Sequence, residues 1–364
     1  MFTASDHAFM ARALRLAERG LFTTTPNPRV GCVLVRGEQV VGEGFHERAG
    51  EAHAEVRALR AAGELARGAT AYITLEPCSH HGRTPPCADA LIAAGVERVV
   101  AALQDPDPRV SGQGLMRLRG AGIQVECGLL EEQARELNIG FVARMERGRP
   151  WMRVKIAASL DGRTALWNGR SQWITGVAAR RDGHRWRARS CAVMAGIGTL
   201  LADNPRLTVR DVESSRQPLR IVVDRHLQIP LDARVLDRGR ALIFAAHGDP
   251  VKVRRLEDIG VPVVSLPDAD GKVDLAAMLG ELARRELNEV LVESGSRLNG
   301  ALMRAGLVDE LLLYFAPHLL GDTARGMLDL GELTELNERV ELTVADVRRI
   351  GPDLRMLARI SRGR

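Results

Sequence analysis

Aromatic residues are scarce in this sequence, at 4% of 364 residues. Proteins that grip single-stranded nucleic acid stack bases on aromatic side chains, so the scarcity argues against that class. Long apolar runs are absent too. Nothing approaches the roughly 18 consecutive apolar residues of a membrane span, and the longest strongly apolar run, Leu311 to Ala316, stops at Pro317. The N-terminus has no apolar core of the secretory kind. Five cysteines (Cys32, Cys78, Cys87, Cys127 and Cys191) are too few, and odd in number, for a disulfide framework. A cytoplasmic location is therefore expected. Nor does charge of one sign dominate: 51 basic against 46 acidic residues leave +5, with the arginines spread along the chain. That distribution reads as solvated surface, with a few arginines free to gather round a phosphorylated small molecule.

What is present is enough apolar material, 45% of residues, for two cores. The length suggests about two domains, and no repeat or low-complexity segment interrupts them. The first half alternates strand-like and helix-like stretches. Asp6 to Gly20 reads as a helix capped by Asp6, Val30 to Val35 and Gln39 to Phe45 as strands, and His53 to Ala66 as a helix. Ala69 to Leu75, Arg98 to Leu103 and Ile123 to Cys127 read as strands, with helices over Cys87 to Ala94 and Glu131 to Glu146. Such alternation implies an α/β layered domain. The stretch Arg147-Gly148-Arg149-Pro150 combines a helix stop with a boundary, dividing the chain into residues 1–148 and 149–364. The second part restarts with a strand at Trp151 to Ala157. Further strands are expected at Cys191 to Ala195, Leu219 to Val223, Ala241 to Ala245, Val261 to Val264, Val290 to Val292 and Glu310 to Phe315, and a helix over Val273 to Arg285. It is a second α/β domain.

Three features in the first domain converge on one chemistry. His53-Ala54-Glu55 opens a helix, Pro77-Cys78 follows a strand, and Cys87 starts another helix. Each alone reads as ordinary core. Together, one imidazole and two thiolates give Zn²⁺ three ligands and leave a corner open for water, whose pKa falls to about 7. Cysteines at helix starts favour the thiolate. Glu55 is not needed as a ligand and is placed to carry a proton from that water to the ring and the departing amine. His-x-Glu followed by Pro-Cys and a second Cys is the zinc deaminase pattern. The second Cys usually follows after two residues; here eight intervene. Cys32, Cys127 and Cys191 read as core, and His80 and His81 as spare ligands at most.

The second domain is less specific on its own. Gly196-Ile197-Gly198 lacks the third glycine of a dinucleotide fingerprint. Val290 to Gly300 reads as strand, Gly–Ser turn and helix start, whose exposed amides suit a phosphate, although an ordinary turn is the alternative.

The chain resembles the bifunctional deaminase–reductases of riboflavin biosynthesis over essentially its whole length. The resemblance rests on Thr25-Pro26-Asn27-Pro28, Val30-Gly31-Cys32-Val33, Gly42 to His46, His53-Ala54-Glu55-Val56 and Thr74 to Cys87. In the second half it rests on Lys155 to Arg163, Ser171 to Thr175, Gly198 to Arg210 and Val292 to Gly295. The spacer rich in His, Gly and Pro sets this family apart from cytidine and tRNA adenosine deaminases.

The resemblance implies a cytidine-deaminase-like three-layer domain followed by a dihydrofolate-reductase-like α/β domain, not a Rossmann fold. It implies Zn²⁺ at His53, Cys78 and Cys87, catalysis by Glu55, and deaminase substrate contacts from Asn27, His46, His80 and Arg83. It places NADPH at Ala157, Trp173, Thr199, Asp203 and the run Gly295, Ser296, Arg297, Leu298, Asn299, Gly300 and Ala301. The reductase substrate falls to Lys155, Ser171, Arg187, Leu207, Arg210 and Glu293, with Arg187 and Arg210 as phosphate clamps. The expected partners are a phosphorylated ribosylaminopyrimidine substrate and further copies of the chain in a homo-oligomer, with no nucleic acid and no membrane. Arg83 and His318 stand where relatives commonly have lysine. Arg225 stands where they often have serine, either beside the cofactor's 2′-phosphate or on plain surface. The rival readings are a nucleic-acid base editor and a deaminase whose second domain serves only assembly.

Overall fold

The computed structural model describes residues 1–79, 86–108 and 110–361. The chain divides into two compact units, Met1–Gly148 and Arg149–Arg364. Among the described residues no helix is long and apolar enough to cross a membrane.

The first unit runs α1 (Ala4–Glu18), β1 (Gly31–Arg36), β2 (Gln39–Phe45), α2 (Ala54–Ala62), β3 (Thr70–Ile73), α3 (Cys87–Ala93), β4 (Arg98–Ala101), α4 (Gln113–Gly120), β5 (Gln124–Cys127), α5 (Glu131–Leu137) and α6 (Ile139–Arg147). Its sheet has the order β2-β1-β3-β4-β5. β1 is antiparallel to both neighbours, while β3, β4 and β5 are parallel. Apolar side chains fill both faces. One cluster lies around Met10, Val33, Tyr72 and Phe141, the other around Cys32, Ala58, Leu91 and Val99.

Two expectations shift here. The first helix starts earlier than Asp6: Thr3 is the cap and Asp6 is the reciprocal partner in a capping box. Asp6 also accepts hydrogen bonds from Tyr72 and Arg98, both at 2.7 Å. The helix expected over Glu131 to Glu146 is two helices. Asn138 breaks it, because its side chain turns to the backbone of Arg29 and bonds both N–H and C=O at 2.8 and 2.9 Å.

One glycine sets the site's geometry in this unit. A Cβ on Gly44 in β2 would stand 2.4 Å from the carbonyl oxygen of Ala54. Its absence lets the start of α2, where His53 and Glu55 lie, settle directly on the strand.

The second unit runs β6 (Trp151–Ser159), β7 (Arg163–Ala165), α7 (Val177–Arg189), β8 (Ala192–Gly196), α8 (Ile197–Asp203), β9 (Leu219–Val223), β10 (Ala241–Ala245), α9 (Pro250–Asp258), β11 (Val263–Ser265), α10 (Leu275–Arg284), β12 (Glu289–Val292), α11 (Ser296–Arg304), β13 (Glu310–Ala316), β14 (Arg325–Gly326), β15 (Leu342–Ile350) and β16 (Asp353–Ile360). Nine strands form one sheet of order β11-β10-β9-β8-β12-β6-β13-β16-β15. The seven from β11 to β13 are parallel; β16 and β15 close the edge as an antiparallel hairpin. Both faces of the parallel part are buried, which is why those strands read as continuous apolar runs.

The hairpin has no counterpart in the sequence reading. β15 is exposed along most of its length, so burial imposes no strong apolar pattern on it. α7 also went unread, because arginine dominates its sequence.

Candidate active sites

In the first unit, β3 delivers the chain to Pro77-Cys78, and α2 and α3 begin at the same end of the sheet. His53 Nδ1 lies 3.2 Å from Cys87 Sγ and 3.7 Å from Cys78 Sγ. A tetrahedral zinc with ordinary bond lengths would hold nitrogen and sulfur about 3.6 Å apart, so these donors fit Zn²⁺ closely. All three ligand atoms lie within 4.8 Å of one another, and among the described residues no other group of three His, Cys, Asp or Glu side chains does this. Only Cys87 starts a helix; Cys78 lies in the irregular segment after β3, contrary to the expectation that both begin helices. Its sulfur still receives a helix-start amide, because Cys87 N–H donates to it at 3.3 Å.

The charges around these ligands are strongly coupled. The hydrogen bond from the Cys87 thiol, helped by His53, holds the Cys78 thiol well below the usual range. Cys87 moves upward, because it keeps the shared proton and is buried. Glu55 is 3% exposed, and burial, seconded by the Cys78 thiolate, pushes it up to about 7. A bound cation reverses that field. On the same side, Asn27 Nδ2 meets His46 Nε2 at 3.0 Å, and the His46 ring packs edge-on against His53 with centroids 5.3 Å apart. Asn27 and His46 thus join the site, whereas His80 and Arg83 lie outside the described residues.

Sequence reasoning missed Glu76, the residue that holds this corner. Its buried carboxylate accepts backbone N–H groups from Asp105, Gly112, Gly114 and Leu115 at 2.8 to 3.4 Å. A Cβ on Gly114 would stand 1.9 Å from the Pro77 carbonyl oxygen. The loop before α4 is thereby pulled against Pro77-Cys78. No side-chain pattern signals this, since every donor is main chain.

In the second unit, polar residues collect at the C-terminal ends of the parallel strands, where open α/β sheets bind ligands. Arg187 on α7 takes Glu293, just after β12, in a two-pronged ion pair at 2.5 and 2.9 Å. Its other nitrogen donates to the Thr208 carbonyl at 2.9 Å. Lys155 Nζ stands 3.9 Å from Glu293. Burial opposes the charge on Glu293, but Arg187 and Lys155 outweigh it and hold it at about 2. Arg210 joins this group through His184, whose Nδ1 accepts the Arg210 N–H at 3.1 Å. Leu207 is buried and holds a left-handed φ of 51°, a strained state for leucine and one found at functional sites.

Of the cofactor residues read from the sequence, those on two turns meet. Gly295 N–H donates to Thr199 Oγ1 at 3.2 Å and Gly196 N–H to Ser294 Oγ at 3.0 Å, bringing the two Gly-containing turns together. The start of α11 after Gly295 offers free amides to a phosphate. Ser171 and Asp203 line one open cavity of about 400 Å³. Trp173 is exposed, with Arg180 over its ring at 4.7 Å, and Ala157 lies on β6 opposite Tyr314. Ser296, Arg297, Leu298 and Ala301 lie on α11. Asn299 and Gly300 turn inward on it. Asn299 bonds the Ser294 carbonyl, and a Cβ on Gly300 would strike the Asp329 backbone at 1.8 Å. The Arg225 guanidinium donates to the carbonyls of Gly271 and Asp270.

One imidazole and two thiolates beside a buried glutamate, in a unit followed along the chain by a second α/β unit, define the class of zinc-dependent deaminases. Residues 3–103 match the cytidine and deoxycytidylate deaminase zinc-binding region, and residues 150–356 match the RibD C-terminal domain. The chain is 49% identical to the riboflavin biosynthesis protein RibD of Escherichia coli, over 96% of this chain and 98% of that protein. A solved structure of Acinetobacter baumannii RibD superposes with a TM-score of 0.92 at 43% identity, covering 98% of this chain and 99% of that one. The diaminohydroxyphosphoribosylaminopyrimidine deaminase/5-amino-6-(5-phosphoribosylamino)uracil reductase of Thermotoga maritima does so with 0.86 at 33% identity, over 98% and 99%. The chain belongs to the RibD family, the bifunctional deaminase–reductases of riboflavin biosynthesis. Its fold is accordingly a cytidine-deaminase-like domain followed by a dihydrofolate-reductase-like one, and His53, Cys78 and Cys87 form its zinc site.

Proposed function

We propose that the first unit removes the 2-amino group of 2,5-diamino-6-(5-phosphoribosylamino)pyrimidin-4(3H)-one and that the second reduces the ribosyl side chain of the product to give 5-amino-6-(5-phosphoribitylamino)uracil. The observation that carries the first half is the convergence of Asn27, His46 and Glu55 on the three zinc ligands. Zinc, held by His53, Cys78 and Cys87, supplies a water activated at neutral pH. Glu55 takes one proton from that water and gives it to the ring nitrogen next to C2 as the oxygen bonds C2, then moves the remaining hydroxyl proton to the amine, leaving a C2 carbonyl. The C2–N bond breaks and ammonia departs. Asn27 and His46 orient the pyrimidine, and His80 and Arg83, by family resemblance, are further substrate contacts, Arg83 for the 5′-phosphate.

In the second unit NADPH, rather than NADH, supplies hydride to the sugar C1′. The ring-opened sugar presents that carbon as an imine, so no protein nucleophile is needed. Lys155, whose ammonium group makes no hydrogen bond among the described residues, donates a proton to the sugar oxygen released on opening. Arg210 holds the phosphate, with Ser171, Leu207 and Glu293 around the sugar; Arg187, expected as a second clamp, is committed to Glu293 and the Thr208 carbonyl and orients that carboxylate. The cofactor lies along Ala157, Trp173, Thr199, Asp203, Gly295 to Leu298 and Ala301; Asn299 and Gly300, also expected to touch it, are buried on the inner face of α11 and hold the helix in place. The Arg225 guanidinium is taken up by two carbonyls, and no phosphate contact is assigned to it.

The enzyme works in the cytoplasm as a homo-oligomer. Supporting the second point, the edge strand β15 exposes Leu342, Val344 and Val347. A two-step assay tests the assignment. The purified protein should contain one zinc per chain, release ammonia from the diaminopyrimidine, and oxidise NADPH only once the deaminated product is present. In Glu55→Gln, where that product is not formed, NADPH oxidation with the undeaminated substrate at the rate given by the deaminated product would overturn the order.

A further inference from the structure

Lys155 is one of three lysines in a chain with 51 basic residues; the others are Lys252 and Lys272. Arginine keeps its proton in proteins, whereas a buried lysine titrates readily. The ammonium group is hardly held. Its nearest carboxylate, Glu293, stands 3.9 Å away and is already committed to Arg187 by two hydrogen bonds. What faces Nζ from the neighbouring strand is the ring of Tyr314 on β13, its centroid 5.9 Å away.

That ring is fixed from behind. Tyr314 Oη donates to Asp182 Oδ2 at 2.7 Å, and the same oxygen accepts a bond from Arg355 at 3.0 Å. A second nitrogen of Arg355 donates to Asp346 at 2.9 Å. Tyr314, Asp182 and Arg355 are all buried. A buried carboxylate and guanidinium cost desolvation that a well-packed apolar pair would avoid, so the chain gains little stability by keeping them. α7 carries Asp182 and also backs the lysine stem: a Cβ on Gly183 would stand 4.0 Å from Lys155 Cε. The charged groups acting on the lysine are Glu293 after β12 and Arg187 on α7. Burial pushes its pKa down, Arg187 acts in the same sense, and Glu293 opposes both. The electron-rich face of Tyr314 adds to the groups that favour the charged form.

We propose that Tyr314, clamped by Asp182 and Arg355, is a positioning residue of the reductase, whose ring face holds the Lys155 ammonium in place and leaves its N–H groups for the substrate. The inference rests on the reading of Lys155 as proton donor, so the test includes both residues. Lys155→Gln, Tyr314→Leu, Tyr314→Phe and Asp182→Asn are made in the full chain. Each is assayed for reduction of the deaminated intermediate across pH, for NADPH affinity and for deamination.

Tyr314→Leu removes the ring. It should lower kcat for reduction by about 100-fold and move the alkaline limb of the kcat–pH profile to lower pH, with NADPH affinity and deamination unchanged. Tyr314→Phe restores the ring without its clamp and should recover most of the rate, as should Asp182→Asn, both with a smaller displacement of the limb. If Tyr314→Leu does not fold, the displaced limb in the other two variants decides. A wild-type kcat and pH limb in the Tyr314 variants, with Lys155→Gln inactive, overturns this inference and spares the role of Lys155. Loss of rate together with loss of NADPH affinity means a structural role and overturns it as well. Wild-type reduction by Lys155→Gln overturns both.

Discussion

Glu55 is buried in the first turn of α2, beside a zinc ligand but not needed as one. That placement separates metal binding from proton transfer. Glu55→Gln should keep stoichiometric zinc and lose deamination by about 10²-fold or more, as removal of a general acid–base does. Reduction of pre-deaminated intermediate should proceed at the wild-type rate. Wild-type deamination by this variant, measured as ammonia release, would remove Glu55 from the mechanism.

His184 makes a different prediction, about pH. Burial first, then Arg187 and Arg210, pushes its imidazole down to about 4, and only the neutral ring accepts the Arg210 N–H at Nδ1. The folded pKa lies below the ordinary 6.5, so the unfolded chain binds the proton more readily. The stability this residue contributes is therefore complete above about pH 6.5 and is lost as pH falls toward 4. It amounts to about 1–2 kcal/mol once screening by solvent is allowed for. The melting temperature of the wild type should fall more steeply than that of His184→Asn between pH 7 and pH 4.5; parallel slopes would show that the imidazole contributes nothing.

At the scale of elements, what could be read in advance was what side chains announce. His53 and Cys87 were legible because each stands at the start of a helix, and Cys78 because it follows a marked strand within the Pro-Cys motif. The parallel strands β8, β9, β10 and β12 were legible as apolar runs because both faces of the sheet are covered. What stayed hidden runs through main-chain donors or through pairs far apart in sequence. Glu76 holds a loop about 30 residues away by its amides, and Asp182 meets Tyr314 and Arg355 across two other elements. β15 stayed hidden because an exposed edge strand carries no strong apolar pattern.

The grip of Glu76 on that loop can be tested. In Glu76→Gln one of the two accepting oxygens becomes an NH₂ group facing N–H donors, so two of the four bonds are lost and the amide repels what remains. The loop should loosen from Pro77-Cys78, and zinc should leave to a chelator about tenfold faster, while reduction is untouched. Unchanged zinc release would mean that α3 and the packing of Gly114 hold Cys78 without help.

For the whole molecule, the question is whether each chemistry has a fold of its own. Each unit has its own sheet and its own buried clusters: Met10, Val33, Cys32 and Leu91 in the first, Met152, Val193, Leu291 and Leu312 in the second. Gly148 ends α6 in the left-handed conformation, with φ 64°, and Pro150 follows, so no helix continues across the boundary. The assigned deaminase residues all precede residue 90, and the assigned reductase residues all follow residue 150. A fragment of residues 1–148 should therefore bind one zinc and deaminate without NADPH. A fragment of residues 149–364 should bind NADPH and reduce the deaminated intermediate in the presence of a chelator. Lower melting temperatures in the fragments are compatible with this. The damaging result is a well-folded C-terminal fragment that binds NADPH yet reduces nothing until the N-terminal fragment is added back. The reductase site would then be shared between the units, and the assignment of Lys155, Arg187 and Glu293 to a self-sufficient site in the second would fail.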